Sequence, residues 1–373
     1  MHKLGTAIYT QSRPGRSIGS EGLAWSAASR YLISSVHNPL KPRSVVLMRY
    51  LNCLLLLVYL SGPHSHAQES RPIRVGIIGL DTSHVIAFTK LLNHPEAKAD
   101  LAGCPVVAAY PKGSPDIRSS VSRVPKYTKQ IRTMGVEIVE SIPELLTRVD
   151  AVLLETNDGR PHLEQVLPVL KAGKPVFIDK PIAGSLSDAV AIFEASRKYG
   201  VPVFSSSSLR YGRDSQEARR GKFGRILKCQ THSPCSLEKT HPDLFWYGIH
   251  GVESLFTVMG TGCMEVKRGK ENGKIKVTGT WNDGRTGVFL AGKGYGGSAQ
   301  TEKGEVKVGS YDGYRPLVVE IVKFFRTKKP PVTEAETLEI YAFMEAADES
   351  KRQNGEAVKL SVVLEKARKA ANP

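Results

Sequence analysis

The sequence is poor in cysteine, in aromatic residues and in acids relative to bases. Five cysteines occur in 373 residues and none forms a C-x-x-C pair, so a structural zinc site of the thiolate kind is not expected. Aromatic residues make up 7%. The 52 Lys and Arg outnumber the 36 Asp and Glu, for a formal net charge of +16. Yet these cations are scattered through periodic segments and form no basic stripe with interleaved aromatics. That argues against nucleic-acid binding and for a solvated basic surface. No internal repeat or low-complexity tract is present. No apolar run reaches the roughly 20 residues that a membrane-spanning helix needs. With 41% hydrophobic and 24% charged residues, the composition is that of a globular chain with room for two domains.

The start of the chain is a separate problem. Arg49 precedes the apolar run Leu54–Leu60, which Ser61-Gly62-Pro63 breaks. Ser65-His66-Ala67 then places small residues at the −3 and −1 positions of a cleavage site. This is the layout of a secretory signal peptide, with a membrane anchor or a buried helix as the other reading. Met48 stands directly before the charged start. Translation is therefore expected to begin there, with residues 1–47 a mis-called extension and 48–67 the signal. No twin-Arg pair precedes the run, so a Sec-type route to the periplasm or the exterior is expected, with no stable membrane insertion after cleavage. Export would carry Cys104, Cys229, Cys235 and Cys263 into an oxidising compartment, where Cys229 and Cys235 could close a small loop.

From Arg71 the pattern alternates strand and helix. Ile73–Gly79 is a short β-branched run entering a turn, and helical spacing follows through Val85, Phe88, Leu91 and Leu92. Pro105–Tyr110, Val136–Val139, Asp150–Glu155, Lys174–Ile178 and Val201–Phe204 read as further strands. Pro111–Ser122 reads as a polar loop. Helices are expected from Ile142, over His162–Ala172 ended by Gly173, and over Ser187–Tyr199 ended by Gly200. Repeated βα units imply a parallel, doubly wound sheet. From Gly224 onward Arg225–Gln230, Met264–Arg268, Lys274–Trp281, Gly287–Ala291 and Glu305–Val308 read as strands with glycine-rich turns. Trp281-Asn282-Asp283-Gly284-Arg285 has the form of a hairpin turn, and Leu317–Phe325 and Glu334–Arg352 read as helices. The expected fold is α/β: a Rossmann-type domain over 71–205, then an α/β domain with a largely antiparallel open sheet over 206–373.

The first βα turn reads Gly79-Leu80-Asp81-Thr82-Ser83-His84. A dinucleotide turn normally has glycine where Asp81 stands, so that the backbone can approach a pyrophosphate. A carboxylate about 4 Å from a phosphate charge costs roughly 4 kcal/mol at an effective dielectric near 20. Asp81 facing the phosphates would weaken binding; rotated away, it would leave Thr82, Ser83 and His84 as donors. The acid expected after the second strand, for ribose hydroxyls, is replaced by Tyr110-Pro111-Lys112. Lys112 is read as an exposed loop lysine or as a partner for a 2′-phosphate.

Two further segments carry the strongest signal. They are Leu154-Glu155-Thr156-Asn157-Asp158-Gly159-Arg160-Pro161-His162 and Ala172-Gly173-Lys174-Pro175-Val176-Phe177-Ile178-Asp179-Lys180-Pro181. Together they resemble the glucose–fructose oxidoreductase/inositol dehydrogenase family (Gfo/Idh/MocA), and the likeness extends from Arg71 to about Leu360. The resemblance implies NAD or NADP as cofactor, a sugar or polyol substrate and a homo-oligomer. It implies cofactor contacts from Gly79, Asp81, Thr82, Ser83, His84, Thr156, Asn157, His162 and Lys180. Lys180 matches the lysine placed between nicotinamide and reacting hydroxyl, and His250 matches the family's proton-transfer histidine, so these two are the expected catalytic pair. Asp179 replaces the usual Glu. Trp246 stands where the family has an aspartate; Asp243, Tyr247 or Glu253 are the nearby substitutes. No metal is expected from His241, Asp243, His250 and Glu253. The rival expectations are a redox-neutral sugar lyase or epimerase using bound NAD, and a catalytically idle member that binds a carbohydrate or a partner.

Overall fold

A computed structural model describes residues 71–371; the extension and signal peptide read from the sequence lie outside the described residues. Six short strands make the first sheet: β1 (Val75–Ile78), β2 (Val106–Tyr110), β3 (Glu137–Ile138), β4 (Ala151–Leu154), β5 (Val176–Ile178) and β6 (Val203–Ser205). They pair in the order β3-β2-β1-β4-β5-β6, all parallel. Every residue of β1, β4 and β5 is buried, because crossover helices cover both faces and leave the strands no wet side. These helices are α1 (His84–Leu92), α2 (Arg118–Arg132), α3 (Ile142–Arg148), α4 (His162–Lys171) and α5 (Leu186–Tyr199). Their ends follow local chemistry. Ser185 Oγ accepts the Asp188 amide at the start of α5, and Gly200 ends it in the left-handed region at φ 64°. The strand order reverses between β1 and β4, and a crevice opens there beyond the strand ends.

The helix α2 replaces part of the loop expected over 111–122. Its sequence hid it: Pro125 lies inside, and only Ser120 and Ile131 are buried, so little apolar periodicity was available to read.

A short 3₁₀ turn (Ser208–Tyr211) and α6 (Arg213–Arg219) lead into the second sheet. Its strands are β7 (Ile226–Ser233), β8 (Cys263–Glu271), β9 (Lys274–Trp281), β10 (Thr286–Ala291), β11 (Gly296–Thr301), β12 (Gly304–Val308) and β13 (Val358–Lys359). The order is β12-β11-β7-β10-β9-β8-β13. Neighbours are antiparallel except β7 and β10. β11 escaped the sequence reading because Gly-Gly-Ser-Ala-Gln-Thr carries almost no apolar signal. The Asn282-Asp283-Gly284-Arg285 tract does connect β9 to β10, with Gly284 at φ 81°.

One face of this sheet is covered by α7 (Ile249–Met259), buried along its whole length. The chain then returns to the first sheet: α8 (Arg315–Thr327) sets Phe324 against Phe204 at 4.8 Å between rings. Two last helices, α9 (Glu334–Arg352) and α10 (Leu360–Ala371), complete the chain. The two sheets thus share one core within a single compact unit. Cys104, Cys229, Cys235 and Cys263 are all free, so the small-loop pairing is not formed. Among the described residues, no helix is long and apolar enough to cross a membrane.

Candidate functional site

A cavity of about 340 Å³ opens beyond the ends of β1, β4 and β5, between the first sheet and the start of α7. Lys180 reaches it from the residue pair that follows β5, and His250 from the first turn of α7; both line the same space. The two residues matched from 70 positions apart in the sequence are therefore brought together.

His250 is held by a contact that no motif announces. Ser207 Oγ lies 2.8 Å from its Nδ1, which leaves Nε2 as the ring nitrogen for a ligand. Burial, reinforced by the charge of Lys180, pushes the imidazole pKa well below its ordinary 6.5. The ring is thus neutral at pH 7 and able to accept a proton. Of the three substitutes for the missing aspartate, only Tyr247 borders the cavity. Asp243 is paired with Arg268 and Lys351, and Glu253 with Arg210 and Ser206. Trp246 lines the cavity beside His241, at 4.9 Å between rings. With Tyr247, Tyr295, Tyr311 and Tyr314 it gives the cavity an aromatic wall, and the Tyr247 and Tyr295 hydroxyls meet at 3.3 Å.

Two fully buried acids, Glu155 and Asp179, sit behind the cavity wall. His84 Nδ1 lies 2.8 Å from Asp179 Oδ2, and Lys180 Nζ stands 3.9 Å from the same oxygen. Glu155, the residue after β4, is fully buried, and neither of its carboxylate oxygens has a hydrogen-bond partner. Burial, and next the charge of Asp179, push the Glu155 carboxyl well above the usual range. Burial acts on Asp179 in the same sense, but His84 and Lys180 outweigh it and hold that carboxyl low.

At the first βα turn, Gly79 has φ 89°, and a Cβ there would lie 2.5 Å from the Thr156 amide nitrogen. Only glycine lets the ends of β1 and β4 approach so closely. Asp81 does not face the cavity. Its side chain turns inward, accepting the Asn157 amide at 2.9 Å and the Ser120 hydroxyl at 2.7 Å. Thr82, Ser83 and His84 do line the cavity, and Asn157 with them. Thr156 and His162 belong beneath the floor instead. Thr156 Oγ1 donates to Gln165, and the His162 ring nitrogens lie 2.7 and 3.1 Å from the carbonyl oxygens of Thr156 and Ile182. They brace the β4 turn and are not cavity residues.

These positions fit one half of a dinucleotide. The N-terminus of α1 opens on the cavity and Ser83 makes no side-chain capping bond, so its first amides suit a phosphate. Arg123, inside the helix missed in the sequence, adds a cation to the same wall. The adenosine half of such a ligand would lie toward the end of β2, where the chain makes contacts of its own. Lys112 O accepts the Leu80 amide at 3.2 Å. Ser120 Oγ is bound to Asp81, Ser114 Oγ donates to Asp158 at 2.6 Å, and Arg160 holds Asp116 through two bonds. Lys112 is thus part of a strap over residues 111–120, laid from β2 across the ends of β1 and β4.

Residues 73–207 match the family profile described as "Oxidoreductase family, NAD-binding Rossmann fold" (GFO_IDH_MocA). Inositol 2-dehydrogenase of Cereibacter sphaeroides is 30% identical over 131 residues, 34% of each chain. The 2,7-anhydro-N-acetylneuraminate hydratase of Escherichia coli is 34% identical over 87 residues, 22% of this chain and 23% of its own. The alignments span about a third of the length of the first curated relatives. Among solved structures, myo-inositol dehydrogenase from Lactobacillus casei in complex with NAD(H) and myo-inositol superimposes with a TM-score of 0.61 at 16% identity. It covers 77% of this chain and 96% of its own. At that identity the likeness speaks for the fold.

Proposed function

We propose that this protein oxidises or reduces a hydroxyl of a sugar or polyol with a nicotinamide dinucleotide, a reading supported by the match of residues 73–207 to the Gfo/Idh/MocA profile of NAD-binding Rossmann oxidoreductases. The observation that carries this reading is Lys180 and a neutral His250 bordering one cavity. The lysine ammonium polarises the hydroxyl and stabilises the alkoxide that develops on it. His250 Nε2 takes the hydroxyl proton, and Ser207 keeps the ring turned for that transfer. Trp246 and the tyrosines give a ring-shaped substrate flat faces to stack on. A bound nicotinamide supplies the hydride acceptor. Thr82 and Ser83 at the α1 N-terminus, with Arg123, are the residues that would hold its phosphates.

The test is direct: absorbance and mass spectra of protein purified without added cofactor, then turnover on a polyol and sugar panel. Bound or bindable dinucleotide with reduced cofactor accumulating supports the reading. Absence of any affinity by calorimetry defeats it. A redox-neutral reaction is the second reading, favoured by the similarity to a hydratase; it requires turnover without accumulation of reduced cofactor. Export by the segment 48–67 belongs to the proposal, and N-terminal sequencing of the mature protein, expected to begin at Gln68, checks it. Self-association belongs to it as well and is read by sedimentation.

A further inference from the structure

Beneath the cavity, His84, Glu155 and Asp179 each present a ligand atom within 4.8 Å of the others. All three side chains are more than nine-tenths buried. They come from the turn after β1 and the ends of β4 and β5, three neighbours in the sheet, so the spacing is set by the sheet and not by mobile loops. Two facts make the cluster incomplete as protein alone. Both Glu155 oxygens and Asp179 Oδ1 lack any hydrogen-bond partner. Lys180 stands 3.9 Å from Asp179, beyond hydrogen-bond reach. Buried carboxylate oxygens without donors are costly unless the group is protonated or coordinated.

We propose that His84, Glu155 and Asp179 bind one divalent cation of the zinc or manganese class. One imidazole and two carboxylates form a mixed nitrogen and oxygen set, which suits these ions better than magnesium or a thiophilic metal. Donors about 2.1 Å from one ion lie about 3.4 Å apart around a tetrahedral ion and up to about 4.2 Å apart across an octahedral one. A cluster spanning at most 4.8 Å therefore closes on an ion with a shift on the order of an ångström or less. The ion would also offset the acids that oppose an anionic ligand in the cavity above. Metal uptake at this site is read without turnover, so its test is separate from that of the proposed redox activity.

The experiment uses the mature chain, stripped with EDTA and dialysed. Zn²⁺ and Mn²⁺ are each titrated by calorimetry, and bound metal is counted by mass spectrometry. One equivalent at micromolar affinity or tighter is expected, with a rise in melting temperature. Glu155→Gln keeps the side-chain volume and removes a ligand, and affinity should fall roughly 100-fold. No metal taken up by the wild-type protein, or equal uptake by Glu155→Gln, overturns the proposal. So does a metal-free Glu155→Gln protein that melts higher than wild type while neither ion stabilises the wild type, because Glu155 is then simply a protonated acid. None of these readouts involves turnover, so a failure here leaves the redox reading standing, and the reverse holds too.

Discussion

Ser207 Oγ sits 2.8 Å from His250 Nδ1, and the same oxygen accepts the Leu209 amide at 3.1 Å. One hydroxyl thereby fixes both the orientation of the imidazole and the start of the 3₁₀ turn beside it. Ser207→Ala is expected to lower kcat about 10–100-fold with KM little changed, since ring orientation matters chiefly while the proton moves. It should also cost about 1 kcal/mol of stability through the lost cap. Ser207→Thr should restore most of the rate. Steady-state kinetics on the three proteins decide it; a loss confined to stability would show that the contact only caps the turn.

Lys180 carries the electrostatic part of the proposal. Lys180→Ala should reduce kcat/KM on the order of 10²–10³-fold, the range seen when one preorganised donor to a developing oxyanion is removed. Turnover that survives Lys180→Ala intact would remove the lysine from the mechanism.

The pH dependence follows from His250. Its pKa in the folded protein is depressed below 6.5 by burial and then by Lys180. The neutral, proton-accepting ring therefore persists below pH 6.5, and the acid limb of kcat/KM should lie there and not above it. The stability linkage has a definite sign. Between the folded and unfolded pKa values the unfolded chain binds more protons, so stability falls as pH drops below about 6.5. His162, also depressed by burial, adds to the same loss. Melting curves from pH 8 to 5 for wild type and His250→Asn measure it: the variant should lose less stability on acidification.

The sequence was legible where chemistry repeats. Six strands and four of the five crossover helices of the first sheet read clearly, and Lys180 and His250 lay in motifs that survive without context. What escaped depends on contacts between distant segments. Ser207 is one of four consecutive serines, and nothing local marks it as the partner of His250. His84, Glu155 and Asp179 become neighbours only through the strand order that places β1, β4 and β5 side by side. Asp81 read as an obstacle to phosphate because its identity was visible and its direction was not. The amide of Asn157 and the hydroxyl of Ser120, 76 and 39 positions away, turn it inward.

The strap over residues 111–120 makes the last prediction. It is fastened by Ser120 on Asp81, Ser114 on Asp158 and Asp116 on Arg160. The first two bonds are buried and end on carboxylates, so each contributes about 1.5–3 kcal/mol. The third is half exposed and adds little. Asp81 keeps the Asn157 amide, and Asp158 keeps Arg160 and His241, so removing both hydroxyls loosens the strap without stranding either acid. If lifting the strap costs about 2 kcal/mol, it raises the apparent dinucleotide Kd about 30-fold over that of an open cleft. The Ser114→Ala/Ser120→Ala protein should therefore bind NAD about tenfold more tightly or better, and trypsin should cut it faster at Lys112 or Arg118. Nicotinamide mononucleotide, which does not need the adenosine half, should bind both proteins alike. Calorimetry with the two ligands separates the cases: an equal gain for both means the substitutions changed the cavity and not the strap, and no gain for either means the dinucleotide passes without moving it.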